Sequence, residues 1–293
     1  MKPLTLTRKV TTDHEPLDLR HLTPDRTQDI SFDNLGKLQV MCRGESRELG
    51  QDFDIADGNR NTLRLAGDLS NCSHVGSLMR SGVLEVASSV GSHLAAQMRG
   101  GSLRVEGNAG DHAFCEMRGG DVTVSGNVGH FAGGAQSKGM RGGQVVVEGS
   151  AGRWLATRMR RGTIVVYGDI GPGAASRLIA GTLVVCGRAE PPFGAGMQRG
   201  TVVFTPPPSN EPPPFESDST DGRVRSIVGF TAPEPAELSF LQLLLRELEP
   251  LLPPDILQQA HSQKAFRALG DRAVGGQGEI LWLRRSGPAQ PAW

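Results

Sequence analysis

The sequence predicts an all-β chain built around a right-handed parallel β-helix, a solenoid whose coils are about 19 residues long. One unit recurs seven times between Leu63 and Phe204, and the first residues of successive copies lie 21, 19, 19, 23, 19 and 19 residues apart. Each copy opens with three or four aliphatic or β-branched residues, which favour strands. In six of the seven copies a glycine follows that strand, as expected for a turn. A repeat of this length indicates a solenoid, and 19 residues with two or three bends leave no room for a helix beside the strand.

Each copy also contains one residue that is expected to be buried inside the β-helix. A methionine or leucine recurs at the same place in every unit, followed in most copies by an arginine and then by one or two glycines. Stacked strands lie about 4.8 Å apart, so eight coils would form a rod of roughly 35–40 Å with these anchors in one buried column. The predicted column is Met79, Met98, Met117, Met140, Met159, Leu178 and Met197.

Residues 1–60 do not keep the repeat and predict a small β-rich N-terminal cap. LTLTRKV alternates like an edge strand, GKLQVMCRGESREL is typical of two short strands around a turn, and DFDIADG indicates a third strand. A solenoid needs a less regular element over its first coil, both for solubility and against edge-to-edge aggregation. The β-helix itself is assigned to residues 61–204.

After Phe204 the composition changes, and two further segments are predicted. Residues 205–236 are rich in Pro, Ser and acidic residues and predict an extended linker. Residues 237–293 predict a helical and strand extension, with a first helix whose apolar stripe is Leu238, Leu241, Leu245 and Leu248. Pro254 could start a second helix that Gly270 ends, and residues 279–285 form a strand-like run. The leucine stripe must cover a surface, either the chain's own rod or another protein.

The overall composition excludes several classes of protein. The 31 basic and 31 acidic residues cancel, which gives no indication of nucleic-acid or membrane binding. The four cysteines show no CxxC pairing, so neither a disulfide framework nor a zinc ribbon is indicated. The N-terminus has no apolar signal-like core, and no stretch approaches 18 apolar residues. We therefore expect a cytoplasmic protein.

Three histidines fall in phase with the repeat. His74, His93 and His112 each lie five residues before the anchor methionine, so they should stack about 5 Å apart in consecutive coils. Three histidines can form a zinc site. A straight ladder on one face gives poor tetrahedral geometry, however, and no carboxylate recurs in the same column. The favoured interpretation is a stacked ladder without metal, and a metal site is the alternative.

Arginines follow the anchor methionines in five consecutive copies, and the column ends at Ile179. Each could bond turn carbonyls and acidic neighbours, which would give the column a structural role. Alternatively, the guanidinium groups could form a track for a polyanion or contact a partner, because unpaired like charges at this spacing repel each other and require compensation. The column is Arg80, Arg99, Arg118, Arg141 and Arg160.

The fourth copy carries four extra residues between Gly133 and Met140. An insertion in one coil of a regular stack maps to a surface loop, often on the binding face. We therefore expect Gln136, Ser137 and Lys138 to face a partner. No nucleophile elbow, P-loop, HExxH motif or pair of acid–base carboxylates occurs in the sequence, so no catalytic residue is predicted.

Several motifs together point to a known family. They are VEGNAG at 105–110, MRGG at 117–120 and 140–143, the single expansion ending in SKGMRGG, PFGAGMQRGTVV at 192–203 and LGDRAVGGQGEILW at 269–282. In these motifs the chain resembles the C subunit of formylmethanofuran dehydrogenase, and its arginine-rich composition and Pro-rich segment fit a bacterial member. The C-terminal β-helix domain of the glutamate synthase large subunit is a more distant likeness that lacks this tail.

The resemblance implies a function that the repeat alone does not. Bacterial methylotrophs have a related formyltransferase/hydrolase complex, which moves a formyl group from formyl-tetrahydromethanopterin to a methanofuran-type carrier and releases formate. In that family the C subunit is a non-catalytic β-helix beside hydrolase (A-type), B-type and formyltransferase (D-type) subunits. The carrier and a metal are then expected in the partner subunits, with no cofactor on this chain. If the carrier has a polyglutamate tail, the arginine column becomes a candidate contact.

Three other functions stay open at this point. The first is the C subunit of a true molybdenum or tungsten formylmethanofuran dehydrogenase, which the sequence does not separate securely from the hydrolase complex. The second is a hexapeptide-repeat acyltransferase, although its coils have 18 residues and a sixfold aliphatic pattern that is absent here. The third is a stand-alone structural or adhesive solenoid, which would normally carry an export signal.

Overall fold

The computed structural model describes residues 2–10, 15–135, 138–205, 229–254, 256 and 264–283. The N-terminal elements are β1 (Pro3–Arg8), β2 (Leu17–Asp18), α1 (Pro24–Thr27), α2 (Phe32–Leu35), β3 (Gln39–Cys42), β4 (Glu45–Glu48), α3 (Leu49–Asp52) and β5 (Phe53–Ala56). The repeat contributes β6 (Asn59–Ala66), β7 (Cys72–Ser73), β8 (Val83–Val86), β9 (Ser102–Val105), β10 (Arg118–Val124), β11 (Arg141–Val147), β12 (Arg161–Val166), β13 (Thr182–Val185) and β14 (Thr201–Phe204). The C-terminal elements are β15 (Glu234–Glu237), α4 (Phe240–Leu248), β16 (Lys264–Gly270) and β17 (Gly278–Leu283), with short 3-10 helices at Glu249–Leu251 and Arg272–Val274.

The predicted parallel β-helix is confirmed. One sheet of 13 strands has the order β15-β16-β17-β14-β13-β12-β11-β10-β9-β8-β6-β1-β5. Strands β6 and β8 to β14 form one wall of the β-helix, and each pairs in parallel with its copy one coil along. Leu84 therefore lies beside Leu103, which in turn lies beside Val122. A second wall is a ladder of parallel bridges through Leu69, Val90, Ala109, Val128, Ala151, Ile170 and Ala189.

The third side of each coil is neither strand nor helix. Its backbone alternates in and out of the left-handed region, as at His93, Ala95 and Gln97 with φ of 65°, 53° and 58°. Alternate N–H groups therefore bond opposite neighbours: that of His93 reaches Asp111 O one coil ahead, and that of Ala95 reaches Val75 O one coil behind. This pairing satisfies the backbone without a third strand, unlike a coil built from three equal six-residue units.

The anchor residues form the interior column that the sequence predicts, since all seven have no exposed surface. The structure also explains the glycines that follow them. A Cβ on Gly120 would lie 2.8 Å from Met98 Cε and 2.8 Å from Gly101 O, and Gly120 has a φ of +91°. A Cβ on Gly119 would lie 2.6 Å from Arg99 O. The first glycine of the pair thus permits close approach of coils, and the second also provides a left-handed turn over the methionine below.

A polar ladder holds the turn after each wall strand. Asn108 Oδ1 accepts the N–H of Asn127 at 2.8 Å, and Asn127 Oδ1 accepts the N–H of Ser150 at 2.8 Å. Ser150 Oγ and Asp169 Oδ1 repeat this pattern with the N–H groups of Asp169 and Arg188. The Asp, Asn and Ser residues that signal turns in the sequence therefore join successive coils.

The N-terminal region is β-rich, as expected, but its strands are used differently from the prediction. Strand β1 is not an edge, because it pairs in parallel with β6 and is itself covered by antiparallel β5. The predicted hairpin is β3–β4, and it belongs to a second sheet of order β4-β3-β2-β7. Buried Arg8 links this region to the first coil, donating to Asp68 O at 3.1 Å and to Glu15 O at 2.6 Å.

At the other end, β17 adds one more parallel strand to the wall beside β14, and β16 and β15 follow as antiparallel strands. The predicted second helix is wrong over Lys264–Gly270, which is strand β16; most of its earlier part and residues 284–285 lie outside the described residues. Asp271 closes the last coil: its N–H donates to Met197 O at 3.0 Å, and its Oδ2 accepts the Gly196 N–H at 2.9 Å.

Helix α4 packs on the chain's own rod. Its leucines Leu241, Leu245 and Leu248 share a second core with the outward-facing Val165, Val184 and Val203. Tyr167 donates its hydroxyl to Leu251 O at 2.9 Å and so holds the 3-10 helix that follows α4. The leucine stripe was expected to cover either the chain's own rod or another protein, and the structure shows that it covers the rod. No helix in the described part of the chain is long and apolar enough to cross a bilayer.

Candidate functional site

The arginine column lies along one corner of the β-helix, where the third side of each coil meets the wall strand. The N–H of Arg99 bonds Met79 O at 2.8 Å, that of Arg118 bonds Met98 O at 2.7 Å, and that of Arg141 bonds Met117 O at 2.7 Å. Arg160 repeats this bond with Met140 O at 2.8 Å. These bonds place the arginines one coil apart at the same corner, as the repeat predicts.

The guanidinium groups of this column are available for binding. Arg80, Arg99, Arg118 and Arg160 are exposed, and Arg141 is half-buried. Within the described ranges, no carboxylate forms an ion pair with any of the five side chains; Asp25 accepts only the backbone N–H of Arg80, at 3.3 Å. By contrast, Arg64 and Arg104 on the neighbouring sheet face lie 3.6 Å and 3.9 Å from Glu85 and Glu148. The corner is therefore a strip of positive charge that no carboxylate of the described residues pairs with.

The predicted histidine ladder is present and is longer than the sequence analysis expected. His74 and His93 stack with ring centroids 4.6 Å apart, and His93 and His112 with centroids 5.1 Å apart. The column continues through Phe131 at 5.2 Å and Trp154 at 6.3 Å, all with nearly parallel rings. The repeat places Phe131 and Trp154 at the same position as the histidines, but the change of residue type hides this continuity in the sequence.

The stack offers little to a metal ion. Parallel rings direct their nitrogen lone pairs side by side, whereas a zinc ion needs ligands that converge. Over the ranges that the structure describes, no cluster of three or more His, Cys, Asp or Glu side chains is arranged to hold a metal. The outer edge of the stack is partly exposed, and Trp154 at the end is 42% exposed.

Burial lowers the pKa of two histidines in this column. It lowers the pKa of His93, and charge on the adjacent His74 and His112 and on Arg20 lowers that pKa further, whereas Asp18 opposes the shift. Burial likewise lowers the pKa of His74, against the effect of Asp18, whose carboxylate lies 3.3 Å from His74 Nδ1. These two stacked rings are thus held neutral at neutral pH.

The lowered pKa of His93 predicts a loss of stability in acid. The unfolded chain, with a His pKa near its ordinary value of about 6.5, binds more protons than the folded chain just below that pH. Stability should therefore fall as the pH drops from about 7.5 to about 5.5. Replacing His93 with Phe keeps a ring at this left-handed position, as Phe131 does, and removes the proton.

We expect the melting temperature of the His93→Phe variant to fall less between pH ~7.5 and ~5.5 than that of the wild type. His93→Gln is the matched control: it should show the same weaker pH dependence but melt lower at neutral pH, because it also removes the ring. An unchanged pH dependence in the Phe variant would contradict the assignment.

The four-residue expansion of the fourth coil falls between Gly134 and Gly139, both of which are buried. Lys138 is exposed, whereas Gln136 and Ser137 lie outside the described residues. The coil resumes at Met140, whose N–H bonds Gly133 O at 2.8 Å. The insertion therefore leaves the methionine column undisturbed, and its contact with a partner stays a prediction.

One groove was missed by the sequence analysis. It lies in the N-terminal region, has a volume of about 560 Å³, and is lined by residues that include Asp18, Arg20, Val40 and Met41, with Ser73 contributed by the first coil. The groove adjoins the His74 end of the ring stack through Ser73. No repeated motif marks it, because most of its lining comes from non-repeating residues.

Comparison with known proteins identifies the family. No protein-family model matches the chain. A chain in the crystal structure of the formyltransferase/hydrolase complex from Methylorubrum extorquens, determined with methylofuran, is 30% identical. The match covers 96% of this chain and 100% of that chain, with a TM-score of 0.79. The chain belongs to the family of formylmethanofuran dehydrogenase C subunits.

Two curated members of this family also match. They are the C subunits of molybdenum-containing formylmethanofuran dehydrogenase 1 from Methanothermobacter marburgensis and from Methanothermobacter thermautotrophicus. Each is 32% identical over 78 residues, which is 26% of this chain and 20% of the relative. The match thus spans about a fifth of the length of these two relatives.

Proposed function

We propose that this chain is the non-catalytic β-helix subunit of a formyltransferase/hydrolase complex. That complex would move a formyl group from formyl-tetrahydromethanopterin to a methanofuran-type carrier and release formate in one-carbon metabolism. The observation that carries the proposal is the full-length similarity to a chain of such a complex, which was crystallised with methylofuran. Similarity to the molybdenum-containing dehydrogenases supports the alternative, but it extends over 78 residues only.

In this proposal the rod provides surfaces for other subunits. The partners are a hydrolase (A-type), a B-type and a formyltransferase (D-type) subunit, and the carrier and the metal are bound there. Three features of the chain support a scaffold role: the ring stack that ends at exposed Trp154, the inserted loop at exposed Lys138 and the uncompensated arginine corner. Each is a surface that the described part of the chain leaves uncovered.

Affinity purification from the native host with peptide identification tests the assignment. We expect a hydrolase-like and a formyltransferase subunit to be recovered with this chain, without a molybdenum or tungsten subunit. Recovery of the latter would favour the true dehydrogenase. Recovery of the chain alone at native expression would contradict both assignments.

We further propose that the arginine corner binds the anionic tail of the carrier. Three guanidinium groups at the surface that each contribute about 0.2–1 kcal/mol would together change affinity by roughly tenfold. Replacing Arg99, Arg118 and Arg141 with Gln in the complex should therefore raise KM for the carrier by about that factor and leave kcat unchanged. The difference should shrink at high salt, because exposed charges are screened.

The matched control for this test is Arg153→Gln, which removes an exposed arginine from another part of the coil and should leave KM unchanged. A triple variant with wild-type KM at low salt would show that the corner does not contact the carrier.

A further inference from the structure

Beyond Arg160, the column of the arginine corner no longer carries arginine. The next two residues in that column are Ile179 and Gln198, whose N–H groups continue the same coil-to-coil bonds to Met159 O and Leu178 O. In the column beside it, the glycines of the earlier coils give way to Arg161, Ala180 and Arg199. Each coil contributes one pair of neighbouring residues, or rung, to this corner. The apolar rung Ile179/Ala180 therefore lies between two rungs that carry arginine. A hollow of about 370 Å³ opens there, and its lining is Arg160, Arg161, Ile179, Ala180, Gln198 and Arg199.

This hollow carries positive charge that the described part of the chain does not neutralise. Arg160, Arg161 and Arg199 are exposed, and in the described ranges none of them forms an ion pair. Glu279 on the adjoining strand is already occupied: it accepts hydrogen bonds from Arg267 at 3.0 Å and from Thr201 at 2.8 Å. Each guanidinium group of the hollow provides five N–H donors in a planar fork.

The hydrogen-bond donors that the hollow offers to an anion are arginine side chains and not backbone amides. The backbone N–H groups of Ile179 and Ala180 both bond Met159 O, at 2.9 and 3.2 Å, so they cannot form the amide nest that binds phosphate in many proteins. The guanidinium fork holds a carboxylate in two parallel hydrogen bonds, as it also holds a phosphate, so the spacing of the arginines and the apolar residues between them decide which ligand fits. The two arginine rungs are two coils apart, about 10 Å, with an apolar floor between them.

We propose that this hollow is a binding site for a small ligand with two or more carboxylates. Arg160 and Arg161 hold one carboxylate and Arg199 holds another, while the carbon chain between them lies over Ile179 and Ala180. The site is formed by this chain alone. It therefore does not depend on the proposed complex or on the remainder of the arginine column.

Calorimetric titration of the full chain at low salt tests the site, with tricarballylate, pyrophosphate and acetate as probes. We expect tricarballylate to bind at one site and acetate to bind much more weakly. The double variant Arg161→Gln/Arg199→Gln should bind tricarballylate at least about tenfold more weakly, the factor expected when charge-assisted hydrogen bonds are lost. Arg161→Lys/Arg199→Lys should lose less, because the charge stays and only the fork is removed.

The control is Arg64→Gln/Arg104→Gln, which removes the same number of positive charges from the neighbouring sheet face. Its affinity for tricarballylate should stay within about twofold of the wild type, since both residues lie outside the arginine column and three or more coils from the hollow. An equal loss in both double variants would show a general positive field and overturn the proposal. So would tight pyrophosphate binding without tricarballylate binding, or no binding of any probe. Unchanged melting temperatures would establish that each variant is folded.

Discussion

Replacing Gly120 with Ala is expected to destabilise the protein by about 2–5 kcal/mol. The substitution combines two costs. The residue has a φ of +91°, where an L side chain is strained, and the new methyl group would lie 2.8 Å from both Gly101 O and Met98 Cε. Backbone strain of this kind costs about 1–2 kcal/mol, and overpacking a close-packed interior costs a further ~1–3 kcal/mol. The midpoint of urea unfolding measures the loss.

Gly44→Ala is the matched control for this experiment. Gly44 has the same φ of +91°, but a Cβ there meets no atom within 4 Å. It should therefore lose only the contribution of backbone strain. If the two variants unfolded at the same urea concentration, close approach of coils would not be what requires glycine at position 120.

Met117→Ala is the second substitution with a large expected effect. Met117 has no exposed surface, and its ε-methyl lies where a Cβ on Gly143 would be only 2.6 Å away. Truncation leaves a cavity between two coils. The coils cannot approach each other to close it, because backbone hydrogen bonds hold them to the coils above and below. The expected loss is about 2–5 kcal/mol, again read from urea unfolding.

Two controls accompany the methionine test. Met41→Ala removes the same atoms from a side chain that is 43% exposed, so it should change stability by about 0.5 kcal/mol or less. Met117→Leu keeps the volume and should cost less than about 1.5 kcal/mol, as the natural Leu178 in the same column suggests. A Met117→Ala variant as stable as Met41→Ala would contradict the packing described for the column.

The position of helix α4 could have been deduced from the sequence. Early coils alternate, as in LEV and LRV, where the middle residue faces solvent, whereas later coils read IVV, LVV and VVF with every residue buried. A strand that is apolar on both faces indicates that both faces are covered. The change from Arg104 and Thr123 to Val165 and Val184 therefore marks where the helix packs.

The structure of β16, unlike the position of α4, could not be deduced from the sequence. Its sequence, KAFRALG, is rich in residues that favour helices, and the predicted second helix extended through it. The chain instead pairs antiparallel with β17, from Ala265 opposite Leu283 to Gly270 opposite Gly278. Pairing with a strand already fixed on the rod outweighs local propensity, which is a weak preference.

By itself the sequence determined the coil, its glycines, its buried methionine column and the alignment of the arginines, because these follow from local geometry repeated at a fixed spacing. Only the tertiary structure decided what the non-repeating parts contact. It placed α4 on the rod, extended the ring stack to Trp154, paired Arg64 with Glu85 and left the corner arginines without acidic partners in the described residues. Such contacts join residues far apart in the chain, as Tyr167 and Leu251 are, and no period in the sequence encodes them.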